Sequence, residues 1–126
     1  MNDNYWVEFW KNYANDVSEK DEQSQVLRTI DKKPITEELW EFTLSKIDDV
    51  FNVLRGDNVL DLCCGNGLLS KHYIKKSATV TAVDVSNVLL RNISNIDGLT
   101  TINSDIRLLN FENNSFDKVI LYAGIQ

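Results

Sequence analysis

The sequence is poor in the residues that build metal sites and disulfide frameworks. It holds one histidine, His72, and two cysteines, Cys63 and Cys64, which are adjacent. That inventory is too small for a zinc site, so no metal is expected. Neighbouring cysteines rarely join, because the bridge is strained, so the thiols read as reduced and the compartment as cytoplasmic. No apolar run approaches the roughly 20 residues needed to span a bilayer. The opening MNDNYWVEFW has no basic start followed by an apolar stretch, so neither a secretory signal nor a membrane segment is expected. A basic block is missing too: the net charge is −6 and the isoelectric point near 4.7, which argues against a general nucleic-acid or anionic-membrane surface. What remains, at 126 residues with 43% hydrophobic and 25% charged positions, is the composition of one globular domain with a core of its own.

The charge and the hydrophobic period both change along the chain. Residues 1–50 hold twelve acidic and six basic side chains; residues 51–126 hold seven of each, so the whole excess lies in the first part. That part is patterned as helix. Tyr5, Trp6, Phe9, Trp10 and Tyr13 fall on one helical face, residues 16–24 read as a polar loop, and Val26, Leu27 and Ile30 suggest a short helix. Pro34, the single proline, disfavours helix just before it. Thr36 then caps a helix that carries Leu39, Trp40, Thr43, Leu44, Ile47, Val50 and Phe51.

After Arg55-Gly56-Asp57 the pattern is that of an α/β sheet. Strands are expected at 58–62, 78–83, 99–102 and 116–122, with helices at 68–76 and, capped by Ser86, at 87–94. Helical crossovers of this kind make the sheet mostly parallel. The division is expected at residues 1–54, a helical cap, and 55–126, a sheet-containing half, together one globular unit.

The chemistry concentrates where strands end. Val59-Leu60-Asp61-Leu62-Cys63-Cys64-Gly65-Asn66-Gly67 is a hydrophobic strand closing on an acid and then a glycine turn. Ligands of open α/β sheets bind at such carboxyl ends, and glycine lets the backbone approach a ligand without a Cβ clash. The dinucleotide pattern GxGxxG fails here, because position 70 is Ser. Asp84 ends the second strand, where a carboxylate can accept from both hydroxyls of a ribose. Asp105 follows the third, with Ile106 beside it; an Asp can accept from an adenine amino group and an aliphatic side chain can cover the ring. Asp61, Asp84 and Asp105 thus suit the amino acid, the ribose and the base of one ligand, the lesser alternative for Asp84 and Asp105 being helix caps.

At these residues the chain resembles the class I S-adenosylmethionine-dependent methyltransferases. VLDLCCGNG (59–67) is similar to their glycine-rich first motif, VTAVDVS (80–86) to the ribose segment, SDI (104–106) to the adenine segment, and FDKVILYAG (116–124) to the fourth-strand motif. The resemblance covers about residues 40–126. One position departs from it: Cys63 stands where the family commonly has glycine. The resemblance implies a Rossmann-like sheet and S-adenosyl-L-methionine as cofactor, with S-adenosyl-L-homocysteine as product. It also implies a cofactor set of Asp61, Cys63, Gly65, Asn66, Gly67, Asp84, Val85, Ser104, Asp105 and Ile106. The amino-terminal helices resemble the cap of small-molecule methyltransferases, which adds Tyr5, Trp6, Tyr13 and Arg28 as candidates, the last as a partner for the methionyl carboxylate. The acceptor is then a small molecule, and no catalytic side chain is assigned; His72 is not expected to be a base.

The family sheet has seven strands in the order 3-2-1-4-5-7-6, and this sequence supplies four, in the order 3-2-1-4. Two readings therefore stand beside each other: a methyltransferase, and a cofactor-binding module that lacks the acceptor half and does not catalyse alone. A nicotinamide oxidoreductase fits less well without the third glycine. The fourth strand is expected to present a bare apolar edge through which two copies could pair.

Overall fold

The computed structural model describes residues 4–17 and 19–122. The sheet is the one expected. β3 (Asn58–Leu62), β4 (Thr79–Asp84), β5 (Leu99–Asn103) and β6 (Lys118–Leu121) form a four-stranded sheet in the order β5-β4-β3-β6, every pair parallel. In chain order of the sheet strands this is 3-2-1-4. β3 is central, which explains its composition: Val59, Leu60 and Asp61 are all buried, as in a strand covered on both faces.

Alternate strand residues point to one side and build the main core. Val59, Val80, Ala82, Leu99 and Ile120 pack there with residues of α3 (Glu37–Phe51) and α4 (Leu68–Lys75), among them Trp40, Leu44, Ile47, Leu69 and Tyr73. α3 begins where Thr36 accepts from the Leu39 N–H, with Glu37 and Glu38 in its first turn. It ends at Asn52, which is left-handed. Asp48 ties α3 to α4: its oxygens lie 3.0 Å from His72 Nε2 and 2.6 Å from Lys76 Nζ. α5 (Asn87–Leu90) is capped by Ser86, and a 3-10 turn at Arg91–Ile93 continues it, so the expected helix is present but splits.

The amino-terminal part differs from expectation. α1 runs Tyr5–Val17, and Tyr5, Phe9 and Tyr13 stack along it at four-residue steps. The stretch read as a polar loop contains α2 (Glu22–Gln25), whose cap Asp21 accepts from the N–H of Ser24. No helix forms over Val26–Ile30. Thr29–Ile30 is β1, paired antiparallel with β2 (Lys33–Pro34). Asp31 and Lys32, the two residues between them, have φ of 51° and 63°, the geometry of a two-residue hairpin turn. Pro34 sits in a two-stranded ribbon, where its missing N–H costs little.

At the other end, β6 has a neighbour on one side only among the described residues, and Val119 is 55% exposed. The last two residues of the fourth-strand motif, Ala123 and Gly124, lie outside the described residues. Among the described residues no helix is long and apolar enough to cross a membrane.

The turn from β3 into α4 is closely packed. Gly67 caps α4 at φ 79°, and a Cβ there would fall 2.6 Å from two carbons of Ile93. Gly67→Ala combines a strained backbone with overpacking against a fully buried side chain. It should lower the unfolding free energy by about 2–4 kcal/mol, read from urea denaturation. A loss under about 1 kcal/mol would show that Ile93 moves aside freely.

Candidate functional site

The strand ends open onto one cleft of about 590 Å³. Cys63, Cys64 and Gly65 come to it from the end of β3, Asp84 and Val85 from β4, and Ser104, Asp105 and Ile106 from beyond β5. Tyr122 enters from beyond β6. Over the top lie Trp6, Val7 and Trp10 of α1, and Val26, Leu27 and Arg28 from the chain between α2 and β1.

The floor is shaped by the turn after β3. Cys63, Gly65 and Gly67 are all left-handed, with φ of 53°, 59° and 79°. For Cys63 that conformation carries a side chain, at a cost of about 1–2 kcal/mol. Two bonds to β4 fix the turn: Cys64 N–H donates to the Val83 carbonyl at 3.0 Å, and Gly65 N–H to Asp84 Oδ2 at 2.9 Å. The other Asp84 oxygen accepts from Ser86 N–H at 2.8 Å. Burial pushes the Asp84 carboxyl up from its ordinary value, and these backbone bonds pull against that. Each oxygen accepts one N–H and keeps a lone pair for a further donor.

The expected site residues divide into two groups. Cys63, Gly65, Asp84, Val85, Ser104, Asp105, Ile106 and Arg28 line the cleft. Asp61, Asn66, Gly67 and Tyr13 do not. Asp61 is 2% exposed and accepts from the Ser70 hydroxyl at 2.6 Å. Asn66 is fully buried and turned toward α2, where its amide donates to the Glu22 carbonyl and to Gln25 Oε1 at 2.8 and 2.9 Å. Gly67 belongs to the start of α4. The Tyr13 hydroxyl donates to the Ser24 carbonyl at 3.4 Å, a weak link between α1 and α2.

Two expected roles change in detail. The glycines do not leave room for a ligand: a Cβ on Gly65 would meet Val26 Cγ1 at 2.9 Å, so the space is taken by protein, as it is by Ile93 at Gly67. Asp105 caps the 3-10 turn Ile106–Leu108 and holds Arg107 in a forked pair, with Nη2 at 2.6 Å. Those bonds keep its carboxyl below the usual range, and an adenine amino group would have to share it with Arg107. Arg28 has no carboxylate partner at ion-pair distance among the described residues. Its guanidinium lies over the Trp40 ring at 4.9 Å and the Tyr122 ring at 5.5 Å. Burial lowers its pKa, while Tyr122 and Asp61 raise it.

Leu27, Leu89, Arg107, Tyr122 and Trp10 line the cleft without having been singled out as site residues. The rule that marks Asp84 and Asp105, position at a strand end, also marks Tyr122. Leu27 has no sequence signal, since its left-handed φ of 59° follows from the end of α2. Cys63 is an inert thiol: burial, and then the charges of Asp84, Asp61 and Asp105, push it up to about 11. His72 is held by Asp48 between α3 and α4 and does not line the cleft.

Asp61 is the group with the largest consequence for pH. Burial raises its pKa from 3.8 to about 6, against the Ser70 bond and the charge of Arg28, with Asp84 adding to the rise. A folded pKa above the unfolded one means a contribution to stability that is complete below about pH 4 and lost as the pH passes 6. Asp61→Asn retains an acceptor for Ser70 but does not titrate. Relative to that variant, the wild-type chain should lose up to about 3 kcal/mol between pH 4 and pH 7.5, measured by urea unfolding at each pH. A pH-independent difference would place the Asp61 pKa at its ordinary value.

Comparison with known proteins agrees with this architecture. A family model described as a methyltransferase domain matches residues 59–126. The ubiquinone biosynthesis O-methyltransferase of Pasteurella multocida (strain Pm70) is 43% identical over 61 residues, a match that takes in 48% of this chain and 25% of that protein. Among solved structures, the Haemonchus contortus phosphoethanolamine N-methyltransferase 1, in complex with phosphoethanolamine and S-adenosylhomocysteine, superposes on 94% of this chain and 26% of its own. Its TM-score is 0.73 and its identity 15%. Coclaurine N-methyltransferase, bound to N-methylheliamine and S-adenosylhomocysteine, covers 72% of this chain and 28% of its own, with a TM-score of 0.60 and 24% identity. The [4+2]-cyclase SpnF covers 66% and 34%, with a TM-score of 0.59 and 16% identity. These likenesses establish the fold, and the family model, spanning more than half of the sequence, establishes the family: the chain belongs to the methyltransferase domain family.

Proposed function

We propose that the cleft holds S-adenosylmethionine and that the chain is the cofactor-binding part of a methyltransferase acting on a small molecule. The observation that carries this reading is the convergence on one cleft of Asp84, an apolar wall and Arg28, a cation without a carboxylate partner among the described residues. The residues fit the cofactor by their chemistry. Arg28 suits its carboxylate, while Asp61, buried beneath the turn on Ser70, lies outside the cleft. Asp84 has lone pairs for the ribose hydroxyls, and Val85, Leu89 and Ile106 offer apolar surface for the base, with Ser104 and Asp105 as polar neighbours. When bound, the cofactor supplies a methyl group on a sulfonium, and the protein's part is alignment and exclusion of water. Trp6, Trp10 and Leu27 supply that exclusion from above.

The relatives support the methyl-transfer class without fixing an acceptor, since one is named for O-methylation and two for N-methylation. The fold alone does not decide activity, as the cyclase illustrates. The second reading, a module that binds without transferring, is favoured by the state of the cleft's carboxylates. Asp84 and Asp105 are both engaged by protein donors, and no histidine lines the cleft among the described residues. Incubation with labelled cofactor and a panel of phenols and small amines separates the two readings.

Titration calorimetry tests the site. S-adenosylmethionine and S-adenosylhomocysteine should bind and NAD should not, and Arg28→Ala should weaken S-adenosylhomocysteine by roughly tenfold or more. Binding of NAD alone would overturn the reading, and an unchanged affinity in the variant would remove Arg28 from it.

As a separate proposal, the edge of β6 that has no neighbour among the described residues supports pairing between two copies of the chain. Light scattering should then report a mass that rises with concentration, and a monomer at all concentrations would refute it.

A further inference from the structure

The resemblance assigns Asn66 to the cofactor, but the structure places it elsewhere. We propose that Asn66 is a positioning residue that latches the segment Glu22–Arg28 onto the glycine turn and thereby holds Arg28 at the cleft. This rests on the cofactor reading above for what Arg28 does, though not for the latch itself.

The geometry begins with burial. Asn66 is fully buried, and both protons of its amide are used, one on the backbone carbonyl of Glu22 and one on Gln25 Oε1. Gln25 is itself 4% exposed and donates to the Lys20 carbonyl at 3.0 Å. Lys71, on α4, pairs with the Glu22 carboxylate beside them. Val26 then occupies the space where Gly65 has no Cβ. α2 is only four residues long and has little stability of its own, so these contacts with the turn decide where it lies.

From α2 the chain reaches Arg28 in three residues. Arg28 N–H donates to the Gln23 carbonyl at 2.9 Å, and its carbonyl accepts from Ile35 N–H at 3.1 Å, so its backbone is fixed between α2 and β2. The guanidinium completes the path against Trp40 and Tyr122. Asn66 Oδ1 meanwhile has no partner among the described residues. A buried orphan acceptor is unfavourable, and its presence fits a side chain oriented for its amide protons rather than for its own satisfaction.

Two measurements on the full chain test the latch. The first needs no cofactor. In hydrogen exchange, Asn66→Ala should speed exchange at 22–28 while α3 and the sheet stay protected, and Gln25→Ala should do the same from the other side. Unchanged exchange at 22–28 in both would overturn the proposal, and so would a uniform rise across the chain, which would show a general loss of stability. The second is a double-mutant cycle by calorimetry with S-adenosylhomocysteine. Asn66→Ala should weaken binding by about tenfold in the wild-type background and by less than about twofold in the Arg28→Ala background. Equal losses in both would mean that Asn66 acts on the turn and not through Arg28. A wild-type chain that takes up no S-adenosylhomocysteine would overturn the cofactor reading and the Arg28 part of the proposal, while the exchange result still decides the latch.

Discussion

The carboxyl edge of the sheet depends on one constraint: the backbone must leave β3, turn through three left-handed residues and enter α4 within the space between two neighbouring elements. Cys63, Gly65 and Gly67 supply those conformations, and Asp84 fixes the middle of the turn by accepting the Gly65 N–H. A carboxylate is suited to the task because it can take one backbone proton on each oxygen. The same Asp84 therefore closes the turn after β3 and starts the helix after β4 through Ser86. Two crossovers are joined at one side chain, and the cleft is the concavity left between them.

The two glycines of the turn are required by packing on its protein side. Ile93 fills the place of one Cβ and Val26 the place of the other. The first contact presses the 3-10 turn after α5 against the start of α4; the second brings Val26 of the amino-terminal part down onto the loop. Glycine here sets the spacing between elements, and only through that spacing the width of the cleft. Cys63 shows the complementary case. It keeps a side chain at φ 53° because its neighbourhood, the open cleft, has room for one, and the backbone absorbs the strain.

Much of the sheet is legible in the sequence, because a buried parallel strand needs a short apolar run and a crossover needs a helix after it. Asn58–Leu62 and Thr79–Asp84 satisfy both conditions, and the acids that end them could be placed without knowing the fold. The hairpin at 29–34 could not. Its turn is Asp31-Lys32, with neither the Asn nor the Gly that usually advertises two positive φ values, and its strands are two residues each. α2 is hidden for a related reason: four residues carry no period, and Asn66, which holds its Glu22 carbonyl and Gln25 side chain, is more than forty residues away. Asp105 was placed correctly at a strand end, but no spacing rule could show that Arg107 would fold back onto it.

The division of charge explains why the amino-terminal part is more than a cover. Residues 51–126 contribute Asp84 and Asp105 to the cleft and Asp61 beneath it, and burial or hydrogen bonding shifts the pKa of each. Their one cation at the cleft, Arg107, is spent on Asp105. A zwitterionic ligand also needs a positive partner at the turn, and the sheet-containing half offers none there among the described residues. Arg28 comes from the acidic half of the chain, which carries the whole net charge of −6 and yet places a cation on the cleft. It lies against two aromatic rings, which hold a guanidinium without neutralising it. Arg28 reaches the cleft through the segment Glu22–Arg28, and the contacts that hold that segment run through the same glycine turn that shapes the floor.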